Sequence, residues 1–243
     1  MAILNDFIER HFLILSTFLV PVLFLIMAPA FHFYYSLKRH QVLQHKSQES
    51  QVQSAQLRRE LTYSFITLII FTLSGYGVYL LYIESYTVVY LLTTRADLIY
   101  IPVSIVLMML FHDTYFYWTH RLLHLPGWYQ KIHTVHHLST NPSPFTSLAF
   151  HPVEAIIQAG VLPLMVMIVP AHPVAILCFL VYMVVKNVRG HAGYEFTSRS
   201  YRDTGWRKLK GYPIHHNIHH LKGRDNYGLY FTMWDRLMGT FRG

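Results

Sequence analysis

The chain has 243 residues, 53% of them hydrophobic, 16% aromatic and only 13% charged, with a mean hydropathy of +0.28. A soluble domain carries roughly 25% charged residues, so this composition excludes an ordinary water-soluble globule and describes a membrane protein. The formal charge is +8, but no basic run alternates with aromatics on a soluble face; that excludes nucleic acid, and the excess instead reports the positive-inside rule. The single cysteine, Cys178, sits in an apolar run. It excludes internal disulfides, a thiolate iron–sulfur cluster and a structural cysteine–zinc site.

The first apolar stretch, about 12–33, is long enough for one bilayer crossing at ~20 residues per span. Its flank, Asp6, Glu9 and Arg10, is unlike a basic leader, and no cleavage site is obvious at Ala28-Pro29-Ala30, so an uncleaved anchor is expected. Residues 37–61 are polar, with Lys38, Arg39, Lys46, Arg58 and Arg59 outnumbering Glu49 and Glu60, which predicts a cytoplasmic loop. Its Gln/Ser-rich middle reads as a solvated helix or linker, with His40 and His45 on the surface. A second span over about 62–83, an outer loop and a third span over about 98–118 bring the chain back to the cytoplasmic side. The apolar region 153–186 is interrupted by Pro170 and Pro173 into halves of ~17 and ~13 residues, short for upright spans. A helical hairpin or partly re-entrant pair is expected there, with His172 in its turn. The tail is basic (Arg199, Arg202, Arg207, Lys208, Lys210, Lys222, Arg224) and again cytoplasmic by charge. The prediction is one all-α integral membrane domain over 1–243. About four membrane helices or hairpins carry a histidine-rich cytosolic cap formed by 119–151 and 187–243.

Twelve of the 17 histidines fall between His120 and His220, mostly in the clusters HRLLH (His120, His124), HTVHH (His133, His136, His137) and HNIHH (His216, His219, His220). Residues three and four apart share a helix face, so each cluster is expected to point its imidazoles one way. Eight convergent imidazoles exceed one tetrahedral site and match two metal ions; neutral imidazole suits zinc, iron, copper and nickel. Asp113, Tyr117, His120 and His124 form one stripe of a helix. An aspartate inside a span is costly, and Asp113 reads either as a carboxylate orienting a ligating imidazole or as a cap or partner of Arg121. His191, at the start of the soluble tail, is a further ligand candidate. Asn187, one turn earlier, could bind metal directly or through water. His151 is either a neighbour of the ligands or a helix-start residue, with Glu154 as a capping group. His215 faces away from its cluster and is expected to support the ligands. Asn226 to Phe241 reads as an interfacial anchor or as a lid over the metals that uses Asp235 as a supporting carboxylate.

The three clusters resemble, in order and separation, those of the membrane fatty acid hydroxylase and sterol desaturase superfamily. The segments PSPFTSLAFHPVEAIIQ and HHNIHHLKGRDNYGLYFTMWDRLMGTFR are most similar to sterol C-5 desaturases, where an HHxxHH run precedes NYGxYFTxWDR. The resemblance implies two iron ions on the cytosolic face of a four-helix membrane scaffold, O₂ as oxidant, and a lipid C–H bond as target. It assigns ligand roles to His120, His124, His133, His136, His137, His216, His219 and His220, with His191 in a further position. Some hydroxylases carry another histidine where this chain has Asn187. Tyr117 and the neighbouring span would line the path of a sterol-like or other bilayer lipid.

No GxGxxG, CxxCH or haem-binding HPGG is present, so electrons must come from a separate electron-transfer protein or reductase, favoured by a basic docking tail if acidic. Desaturation and hydroxylation share hydrogen abstraction and are not separated by sequence. A bacterial inner membrane and an ER membrane both fit, with the metal site and C-terminus cytosolic. A di-zinc membrane hydrolase is the competing reading, since zinc could also occupy these sites. Against it stand the lack of HExxH and of a carboxylate base beside a cluster. A metal transporter would want histidines near the bilayer midplane rather than gathered at one face.

Overall fold

The computed structural model describes residues 2–38, 45–48, 52–91 and 94–243. The frame is four long helices: α1 (Ala2–Leu37), α2 (Ser54–Ile83), α3 (Arg95–Leu123) and α7 (Pro173–His191). Each contains a segment long and apolar enough to cross a membrane. Between α3 and α7 run a π-helical turn (Tyr129–His133), α4 (Thr134–His137), a 3₁₀ turn (Pro144–Leu148), α5 (Pro152–Ala159) and α6 (Val161–Ile168). After α7 come α8 (Arg199–Arg202), a second 3₁₀ turn (Gly205–Leu209), α9 (Pro213–Lys222) and α10 (Met233–Leu237). The described residues contain isolated bridges but no strand, so the molecule is an all-α integral membrane protein.

Local chemistry fixes the element ends. The Thr94 hydroxyl accepts from the Asp97 N–H at 3.4 Å while Asp97 Oδ2 accepts from the Thr94 N–H at 2.7 Å, a reciprocal capping box that starts α3. His172 Nδ1 accepts from the Val174 N–H at 3.1 Å and Pro173 follows at the first helical position, so the turn histidine is a buried N-cap of α7. α1 packs against α2 and α7, and α7 against α3. At Gly75 the first two helices nearly touch: a Cβ there would lie 2.1 Å from the Ser16 carbonyl oxygen. Outward-facing Phe18, Leu25, Ile26, Phe65, Leu73, Ile99 and Val106 give the frame its apolar exterior.

Two expectations change. The region 153–186 does not end in a short segment of ~13 residues. Its first part breaks at Gly160 into two eight-residue helices, and its second part is a 19-residue helix that continues to His191. The charge at Lys186 marked an apparent end in the sequence, but its ammonium donates to the Gly211 carbonyl and the helix runs on. His40 and the polar stretches 39–44 and 49–51 lie outside the described residues. His45 is half-buried rather than on the surface: its ring lies 4.6 Å from Phe196, and its carbonyl accepts from the Glu195 N–H at 2.7 Å.

Candidate metal centre

The ends of α3 and α7, with α4 and α9, bring nine imidazoles together in two adjoining groups. One comprises His120, His124, His133, His137 and His219; the other comprises His136, His191, His216 and His220. Candidate ligand nitrogens within each group all lie within 4.8 Å of one another. The expectation that each cluster points one way is therefore corrected. His136 and His137 enter opposite groups, and His219 parts from His216 and His220. Adjacent helical residues diverge by ~100°, so HxxHH serves two sites at once.

The Nε2 atoms face each other at short range. Separations are 3.1 Å for His124 and His219, and 3.0 Å for His219 and His137. In the second group they are 2.7 Å for His216 and His191, 3.2 Å for His220 and His216, and 3.4 Å for His191 and His136. Ligands ~2.1 Å from a common ion are ~3.0 Å apart at octahedral edges and ~3.4 Å at tetrahedral ones, so the spacings suit cations between the rings. His133 Nε2 is buried with no hydrogen-bond partner among the described residues, an expense that a bound cation would remove.

The outward nitrogens are fixed. His120 Nδ1 donates to the Tyr227 carbonyl at 2.9 Å, His219 Nδ1 to the Asp225 carbonyl at 2.6 Å, and His191 Nδ1 to the Asn187 carbonyl at 2.9 Å. A carbonyl only accepts, so the proton sits on Nδ1 and the Nε2 lone pair points inward. His133 Nδ1 lies 2.8 Å from Glu154 Oε1. Burial, reinforced by neighbouring imidazoles, pushes His137 down to about 3 and His133, His136, His216, His219 and His220 well below their ordinary value. Neutral rings at physiological pH are the ligating form.

The remaining candidates take other places. Asp113 Oδ1 touches no imidazole. It accepts the backbone N–H groups of Leu229, Tyr230 and Phe231 at 3.2, 2.7 and 3.2 Å. Asp235 accepts those of Tyr227 and Gly228 at 2.8 and 2.9 Å, and the Thr240 hydroxyl at 2.8 Å. Two buried carboxylates thus clamp five consecutive amides of the strap that presents the Tyr227 and Asp225 carbonyls to the histidines. Gly228 is required there, because a Cβ would lie 2.4 Å from the Phe231 carbonyl oxygen. Asn187 donates its amide to the Ser147 carbonyl at 2.9 Å and meets the site through its backbone carbonyl. His151 is the N-cap of α5, accepting from the Val153 N–H at 3.3 Å, and belongs to neither group. His215 takes the Tyr212 N–H at 3.4 Å at the start of α9 instead of supporting a ligand. Tyr117 is fully buried, bonded to Thr240 and Arg121 at 3.1 Å each, and packs on Trp234 as part of the strap's footing. It does not line the cavity described next. Sequence reading gave Glu154 a capping role and missed it as the partner of His133; the signal was a carboxylate stranded in an apolar run.

A cavity of about 850 Å³, its open mouth included, runs beside the centre. Phe24, Phe71, Met165, Phe179 and Leu180 make much of its wall. Two of its wall residues separate it from the histidines: Phe116 lies 5.0 Å from the His120 ring and Phe150 5.0 Å from that of His136.

Fold and site together define a helical membrane protein with a paired polyhistidine centre beside an apolar cavity. The profile of the fatty acid hydroxylase family matches residues 105–240, and the chain belongs to that family, within the fatty acid hydroxylase and sterol desaturase superfamily. It is 31% identical to lathosterol oxidase of Mus musculus and 30% identical to that of Homo sapiens, each alignment covering 86% of this chain and 68% of the relative. A Delta(7)-sterol 5(6)-desaturase of Gibberella zeae is 28% identical over 77% of this chain and 56% of the relative. No solved structure matches the chain.

Proposed function

We propose that the chain, acting as one unit, is an O₂-dependent non-haem di-iron oxidoreductase that desaturates or hydroxylates a sterol-like or other membrane lipid. The observation that carries this reading is the pair of adjoining imidazole groups packed against the wall of an apolar cavity. His120, His124, His133, His137 and His219 would hold one ion, and His136, His191, His216 and His220 the other. Bound iron with open positions supplies the redox chemistry with O₂ that no side chain can supply. The protein's own work is positional. Backbone carbonyls and Glu154 fix the tautomers, and burial keeps the rings neutral. Phe116 and Phe150 bring an apolar substrate carbon to the nitrogens while excluding water.

Electrons would come from a separate donor. Exposed Arg199, Lys208, Lys210, Lys222 and Arg224 offer it a basic surface, which favours an acidic partner and supports a cytosolic orientation of this face by charge. The names of the relatives support a sterol or similar polycyclic lipid. The test is anaerobic purification with metal analysis, then addition of iron, reductant and O₂, with lipidomics of expressing and non-expressing cells. A new double bond or hydroxyl that requires O₂ and iron is expected. Turnover with zinc, without O₂ or reductant, would replace this reading with the hydrolase.

A further inference from the structure

Among the polar groups that line the apolar cavity, the fold leaves an amide and an imidazole nitrogen uncommitted. Gln158, on α5, is 7% exposed and lines the cavity, yet its amide has no hydrogen-bond partner among the described residues. His112, on α3, is 5% exposed and lines the same cavity. Its Nδ1 pairs with the Tyr230 hydroxyl at 2.8 Å, while no partner within the described residues engages Nε2. Of the other polar walls, the Ser74 hydroxyl donates to the Ala159 carbonyl at 2.9 Å and that of Ser16 to the Phe12 carbonyl at 2.7 Å, while the Thr17 hydroxyl is buried without a partner among the described residues. Buried amides and imidazoles are nearly always hydrogen-bonded, so two uncommitted ones facing one space point to a ligand.

The two groups come from abutting helices, since the Tyr115 hydroxyl on α3 donates to the Ile157 carbonyl on α5 at 2.7 Å. Each lies a short way from the metal centre. Gln158 is about one helical turn, ~6 Å, beyond Glu154, which touches His133; His112 is two turns, ~12 Å, before His120. The charge of the wall selects the ligand further. No Lys, Arg, Asp or Glu lines the cavity. A carboxylate, phosphate or amine would be buried there without a counter-charge, at a cost of several kcal/mol. A hydroxyl, which both donates and accepts, matches an amide and an imidazole without that penalty.

We infer that Gln158 and His112 form a recognition site for a neutral hydroxyl on the lipid substrate, set ~6–12 Å from the metal centre along the helix axes. This rests on the lipid-oxidising reading and sharpens it: the substrate is a hydroxylated lipid, not a free fatty acid or a phospholipid headgroup. The apolar remainder has room to continue. Ser16, Leu162 and Leu180 are shared with a second apolar cavity of about 740 Å³ that extends to Phe7, Pro173 and Val174.

The test uses the iron-loaded protein in lipid nanodiscs, without O₂ or reductant, and a tritiated 3-hydroxysterol beside its 3-deoxy analogue. Wild type is expected to bind the hydroxysterol roughly tenfold more tightly, the worth of a well-made hydrogen bond. Gln158→Met and His112→Phe should each reduce that preference, and the double variant abolish it, with iron content and binding of the deoxy analogue retained. Equal binding of both sterols by wild type, or an undiminished preference in Gln158→Met, would overturn the inference. Loss of both ligands by every variant would assign the two residues to folding and overturn it as well. Because turnover is withheld, the result is independent of whether the protein oxidises lipids.

Discussion

The two histidine groups look alike in chemistry but are held by different parts of the molecule. The four-histidine group is anchored by the long helix α7, where His191 leans on the carbonyl of Asn187 in its own helix. The five-histidine group leans on elements remote in sequence: the strap carbonyls of Asp225 and Tyr227, and Glu154 of α5. Both groups take a residue from the membrane frame, but the five-histidine group also relies on carbonyls of a C-terminal segment that two aspartates clamp. Similar ligand sets therefore differ in how easily they are lost.

The largest effects should come from the ligands. His136→Ala or His219→Ala should abolish activity and lower bound metal while circular dichroism shows the spans intact; full activity in either variant would remove the assignment. His219→Ala should deplete the five-histidine group, and His136→Ala the other, as read by metal stoichiometry per chain.

Asp235→Ala tests the clamp. It frees two buried amides and a hydroxyl, at about 3 kcal/mol or more of local stability. Metal should leave the five-histidine group first, with proteolysis near residue 230 reporting the loosened strap. Equal loss from both groups would contradict the asymmetry. Glu154→Gln is milder: it should weaken metal at the five-histidine group by roughly 10–100-fold, the usual effect of disturbing the partner of a ligating imidazole. Competition with a chelator measures it, and the loss at the four-histidine group should be smaller.

The smallest effect is on pH. Burial holds His133, His136, His216, His219 and His220 well below the ordinary 6.5 and His137 at about 3. Between these values the unfolded chain binds more protons than the folded one, so stability is full above about pH 6.5 and declines as pH falls towards 3. In metal-stripped protein the melting temperature should fall over that window. A flat profile would mean that the rings are not buried neutral.

Much of this was legible in the sequence. Hydropathy located the first three spans because a bilayer demands long apolar runs, and cluster spacing named eight of the nine histidines because helical periodicity is local; His191 stood out only by its place beside the last apolar helix. What was not legible is tertiary. The division of His136 from His137 depends on what stands on either side of α4. Asp113 reads as a carboxylate near a histidine stripe, yet its partners are amides more than a hundred residues away. Asn187 and His151 sit at plausible spacings but spend their side chains on a carbonyl and a helix start. Glu154 was hidden because a carboxylate after a proline is an ordinary capping residue.

The division of His136 and His137 between the groups has a consequence for assembly. Consecutive Cα atoms are 3.8 Å apart, and that covalent step ties the two sites together. His219 and His220 make the same tie on α9, so the sites share two rigid rungs and cannot drift apart independently. Filling either one orders backbone that the other needs, so in the intact protein the second ion should bind more tightly than the first.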